Sequence, residues 1–135
     1  VCMLGAEVRA ERTVVLVTNA SCAIESLTML EIRKAYFGLT LSGEKDTVRA
    51  YRLTGDEALS QVFYQAVVAM SEKSYQQRLM SMLLKFGKPR PTEFGDVNDL
   101  FDALRRSDCG IAYIWGEGAI RADGIKVLRL IWEGK

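Results

Sequence analysis

The run Thr13-Val14-Val15-Leu16-Val17-Thr18 is apolar or β-branched at every position. A strand wetted on one face alternates apolar with polar residues, so a run without alternation needs cover on both faces. A second such run, Ile111 to Trp115, begins just after Gly110 and directly follows a helical stretch. Segments of helical periodicity lie between the two runs. Mixed strands and helices in this order predict a single three-layer α/β lobe, a mixed sheet flanked by helices.

Local signals place the other elements. Asn19 and Ser21 supply a turn after the first strand. Thr28 and Glu31 stand at capping-box spacing, so a helix is expected from Met29 with Leu30, Ile32, Ala35 and Tyr36 inward and Gly38 at its end. A polar loop through Ser42, Gly43 and Lys45 leads to a strand over Val48 to Leu53. Thr54 and Glu57 repeat the capping-box spacing ahead of a helix from about Asp56 to Met70. Ser71 is expected to cap a third helix with an inward stripe of Tyr75, Leu79, Met82, Leu83 and Phe86, stopped by Gly87 and Pro89. Lys88 to Gly95 reads as a loop, and Asp96 caps a fourth helix with Val97, Leu100, Phe101 and Leu104 inward. A Gly-rich connection containing one short helical turn joins the Ile111 strand to a last strand over Ile125 to Trp132.

Composition narrows function by exclusion. Histidine is absent, which removes Ser-His-Asp and Cys-His nucleophile arrangements, and three cysteines without a Cys-x-x-Cys pair do not make a standard zinc site. No catalytic residue, metal site or cofactor is expected. A formal charge of +1 offers no footprint for nucleic acid. No apolar stretch is long enough to span a bilayer. Val1 to Ala6 has two readings, the end of a signal-peptide core or an ordinary extension. The expected division is therefore an N-terminal extension or signal-peptide remnant over 1–12 and one domain over 13–135.

The order of these pieces resembles one lobe of the phosphate-type periplasmic substrate-binding proteins of ABC transporters. The likeness rests on Val17-Thr18-Asn19 closing a strand, on Tyr36-Phe37-Gly38 closing a helix, and on Gly110-Ile111-Ala112-Tyr113-Ile114. It runs from about Thr13 to Trp132. It implies a periplasmic-binding-protein-like lobe and a non-enzymatic, transport-related role in binding a small oxyanion such as phosphate. The alternative is a protein-interaction module of the cell envelope that kept the fold without a ligand. Either role is periplasmic or secreted, and a lobe of this kind is expected to meet a second copy or an envelope protein. Tyr51, Trp115 and Trp132 are the expected uncovered apolar surface.

The resemblance also implies where a ligand would sit. The family's strand-to-helix oxyanion loop corresponds to Arg52-Leu53-Thr54-Gly55-Asp56-Glu57. On an ungapped count Glu57 stands at the family's serine and Leu59 at its threonine, and Asp56 adds a second acid beside them. Two carboxylates repel an anion, and a self-capped helix explains Thr54, Asp56 and Glu57 as well. Asn19 and Ser21 correspond to the hinge; they read as ligand contacts or as plain turn residues. Arg49 and Arg52 read as cations facing a cleft or as a solvated strand face, while Lys85, Lys88 and Arg90 read as wet surface. In the family the first strand lies antiparallel beside the Gly-Ile strand. That arrangement would bring Cys22 and Cys109 within disulfide reach, the alternative being two buried free thiols.

Overall fold

The computed structural model describes residues 12–134. The expected extension over 1–12, apart from Arg12, lies outside the described residues. One five-stranded sheet organises the rest, in the order β3-β2-β4-β1-β5. Its strands are β1 (Thr13–Asn19), β2 (Val48–Leu53), β3 (Thr92–Phe94), β4 (Cys109–Trp115) and β5 (Ile125–Glu133). β1 runs antiparallel to both β4 and β5, while β2 runs parallel to β3 and β4. The sheet is therefore mixed, as read from the sequence.

Strand periodicity sorts the core onto two faces. Val14, Leu16, Ile111 and Tyr113 point to one side, where they meet α1 (Met29–Tyr36), α2 (Glu57–Val62) and α3 (Glu72–Phe86). Val15, Val17, Ala112 and Ile114 point to the other, under α4 (Val97–Arg106) and the short α5 (Gly116–Ile120). Both apolar runs are thus buried from both sides. Gly110, the second residue of β4, has no room for a side chain. A Cβ there would stand 2.5 Å from Cε2 of Tyr51 and 2.6 Å from Oγ of Ser107.

Several expectations are corrected. Thr54 does not cap α2: its Oγ1 donates to the Phe94 carbonyl at 3.3 Å, and Asp56 is the cap. The helix expected to run to Met70 is α-helical only to Val62 and then widens into a π turn over Phe63–Val67. Two residues past the wider turn stands Ala69, the one non-glycine residue among those described with positive φ, 57°. Lys88 to Gly95 is not wholly loop, since it contains β3. Leu30, Leu83 and Phe86 are exposed although their helices are amphipathic, because no element among the described residues covers those positions. Tyr51, Trp115 and Trp132 are half-buried instead of forming an open apolar face. Tyr51 packs edge-on against Phe94 at 5.7 Å between centroids, and Trp115 against Trp132 at 6.3 Å.

Candidate ligand-binding loop

β2 ends at Leu53, and the chain turns through Thr54 and Gly55 (φ 94°) into the first turn of α2. Amides left free at a helix start are natural anion donors. Here Asp56 takes that place itself. Its Oδ1 accepts from Leu59 N at 3.0 Å, and its Oδ2 accepts from the Trp115 indole at 2.8 Å. Burial works to raise the Asp56 pKa, but the Leu59 amide, the Trp115 indole and nearby Arg12 outweigh it and hold the carboxyl below its ordinary value. The Arg12 guanidinium lies 3.6 Å over the Trp115 ring, bracing the indole that reaches Asp56. Glu57 follows on the exposed side of the helix. The loop presents carboxylates, with its best amide already bonded.

Arg52 is not a solvent-facing cation. It is 3% exposed, and its Nε donates to Tyr113 Oη at 2.9 Å and its Nη2 to Tyr64 Oη at 3.1 Å. The guanidinium stacks 4.4 Å from the Phe63 centroid, and Glu93 stands 3.6 Å from Nη1. Burial works to lower the Arg52 pKa, yet the Tyr113 and Tyr64 hydroxyls overcome it and the pKa is raised. Burial likewise pushes the Tyr113 hydroxyl up to about 12 despite the neighbouring cation. Arg49, three residues back, points to the opposite side of β2 and is exposed. The two arginines therefore do not share a face.

Asn19 and Ser21 lie at the other end of the sheet. β1 is antiparallel to β4, so Thr18 sits beside Ile111, whereas Val14 sits beside Trp115 and the α2 loop. At about 3.3 Å per residue, the strand from Val14 to Asn19 puts roughly 16 Å between the two groups. Asn19 Nδ2 donates to the carbonyls of Arg105 and Ser107 at 3.0 and 2.9 Å, and its Oδ1 accepts from both the amide and the hydroxyl of Ser21 at 3.0 Å. Those bonds tie the end of α4 to the end of β1, which is turn and capping chemistry. Cys22 and Cys109 meet at the same end, joined by a disulfide with Cα atoms 5.2 Å apart.

The structure thus gathers Thr54, Gly55, Asp56 and Glu57 into one loop, buries Arg52 in the core against Phe63, Tyr64 and Tyr113, and leaves Asn19 and Ser21 apart. Trp115, Arg12, Tyr64 and Tyr113 were absent from the sequence-based site. Their partners are far away in the chain, so no local spacing announces them. Among the described residues no His, Cys, Asp or Glu cluster could hold a metal ion, and no helix is long and apolar enough to cross a membrane.

No protein-family model matches the chain. No curated protein matches it either. Among solved structures it is similar to one described as a phosphate ABC transporter substrate-binding protein with bound phosphate, from Clostridium perfringens. The TM-score is 0.57 and the identity 17%, over 89% of this chain and 45% of that one. The likeness is one of fold. The mixed sheet flanked by helices matches part of that protein, and the chain spans less than half its length.

Proposed function

We propose that this chain is a non-enzymatic, transport-related lobe of the solute-binding-protein type, working in the periplasm or as a secreted protein, with a degenerate oxyanion loop. The observation that carries the reading is the shared fold over 89% of the chain with a protein holding phosphate. The Thr54–Glu57 turn at the start of α2 is the natural oxyanion site in such a lobe. Asp56 and Glu57 alter what that site accepts. A carboxylate bonded to the Leu59 amide occupies a donor that phosphate would need, and its charge opposes a second anion. The Cys22–Cys109 bridge supports an oxidising compartment.

Titration calorimetry with phosphate and sulfate tests this directly. Affinity is expected to be weak or absent at neutral pH, and the pair Asp56→Gly with Glu57→Ser is expected to raise it. Micromolar phosphate affinity in the unaltered protein overturns the degenerate-loop reading.

A second reading, an envelope interaction module without a ligand, is favoured by one observation. Met80, Leu83, Leu84 and Phe86 are all exposed along the last turns of α3. Apolar side chains gathered in this way commonly mark a protein contact. Light scattering at high concentration distinguishes the two: a homodimer, or a co-purifying envelope protein, favours the interaction module.

A further inference from the structure

A cavity lies at the other end of β2 from the Thr54–Glu57 loop. β3 pairs only with Tyr51, Arg52 and Leu53, so among the described residues no strand lies beside the β2 edge from Val48 to Ala50 on that side. The gap is framed by the end of α1, the end of α3 and the chain from Gly87 to Thr92, and it encloses about 460 Å³. That volume suits a small organic molecule. Gly38 holds two of its walls together: φ is 83°, and a Cβ there would stand 3.1 Å from both Lys88 Cβ and the Pro89 carbonyl.

The charge of this lining is one-sided. Arg49, Lys88 and Arg90 border it, and no aspartate or glutamate does. None of the three lies within 4.0 Å of a carboxylate among the described residues. Both guanidiniums are held by neutral groups instead. Arg49 Nη1 donates to the carbonyls of Asp46 and Val48 at 2.7 and 2.9 Å, and Arg90 Nη2 donates to the Gln76 amide oxygen. Such bonds fix direction while leaving the charge uncompensated. In a chain with formal charge +1, three uncompensated cations around one cavity are a local excess. The remaining wall is apolar and partly aromatic, from Leu39, Phe86, Pro89 and Pro91.

We propose that this cavity binds a small organic dianion with a flat apolar body, such as an aromatic dicarboxylate. The two arginines and Lys88 take the oxyanions, for which a guanidinium fork is well matched, and Phe86 with the prolines covers the ring. An inorganic oxyanion would leave the apolar wall unused and is expected to bind more weakly. This site is distinct from the α2 loop and does not depend on whether that loop binds anything.

Phthalate is a suitable probe, titrated into the isotope-labelled full chain while amide resonances are followed. Gly38 and Gly87 border the cavity, whereas Gly55 reports on the α2 loop. The expected result is saturable movement of the Gly38 and Gly87 amides with Gly55 still. Weakening of at least about tenfold is expected in Lys88→Gln with Arg90→Gln, corresponding to two lost charge-assisted bonds. Arg49→Gln alone is expected to weaken binding in the same direction and provides a second, independent variant. The proposal is overturned if Gly38 and Gly87 do not move, if the charge-neutral variants bind as well as the parent, or if only Gly55 responds. The last result would place phthalate in the α2 loop and support anion binding there, so failure of this site and failure of the loop reading are separable. Phosphate titrated alongside is expected to produce smaller shifts at the same two glycines.

Discussion

Asp56 does two jobs with one carboxylate, capping α2 through Oδ1 and bonding β4 through Oδ2 to Trp115. Asp56→Ala removes both bonds and is expected to cost about 1–2 kcal/mol, read from urea denaturation. Its pH dependence has a definite sign. The folded-state pKa is depressed, so the stabilisation is present above the ordinary aspartate value and is lost as pH falls through the folded value. Between pH ~5 and pH ~2 the parent should therefore lose stability relative to Asp56→Asn, which still caps but carries no charge. Equal acid limbs for the two proteins would refute this. Arg52 is the other residue with long-range consequences. Arg52→Met leaves the Tyr113 and Tyr64 hydroxyls without their donor and is expected to destabilise by about 2–4 kcal/mol. Arg52→Lys should recover only part of that, because an ammonium lacks the planar fork that reaches both hydroxyls.

Element boundaries were legible wherever the signal is local. The Thr28–Glu31 capping box forms as spaced, with Thr28 Oγ1 accepting from Glu31 N at 3.1 Å and Glu31 Oε1 accepting from Thr28 N at 2.9 Å. The identical spacing at Thr54 and Glu57 fails because β3 arrives to claim the Thr54 side chain. β3 itself is three residues long and owes its existence to pairing with β2, so its own sequence carries no usable periodicity. β4 provides the sharpest test at this level. Gly110→Ala would force a methyl against the Tyr51 ring and the Ser107 hydroxyl, both of which are held in place. A loss of about 1–3 kcal/mol is expected, the range for overpacking a close contact. A thermal midpoint unchanged from the parent would show that β2 and β4 can part without cost.

Across the molecule, the Cys22–Cys109 bridge closes a loop with a sequence separation of 87, tying the end of β1 to the start of β4. Both cysteines belong to the buried core on the face of α1. Cross-linking residues this far apart restricts the unfolded chain, and the expected contribution is about 2–4 kcal/mol. Denaturant midpoints measured with and without reductant check the magnitude. Alkylation before reduction, followed by mass spectrometry, checks the bond: labelling of both Cys22 and Cys109 would refute it. The pair Cys22→Ser with Cys109→Ser should match the reduced protein and become insensitive to reductant.

The α/β class, the two-sided burial of β1 and β4, and most helix starts follow from periodicity and caps, since these act within a turn or two of chain. The assignment of side chains to α1/α2/α3 or to α4/α5 also follows, because strand geometry alternates them automatically. The site is different. Thr54 to Glu57 were identifiable as a helix-start loop, but Asp56 is engaged by Trp115 through a bond spanning 59 residues. Arg52 reads as a cleft-facing or solvated strand cation and is instead buried, because Tyr64 and Tyr113, 12 and 61 residues along the chain, supply its acceptors. Asn19 and Ser21 stand away from the loop because β1 and β2 run in opposite directions across β4. Strand direction is a property of the assembled sheet, and no spacing along the chain encodes it.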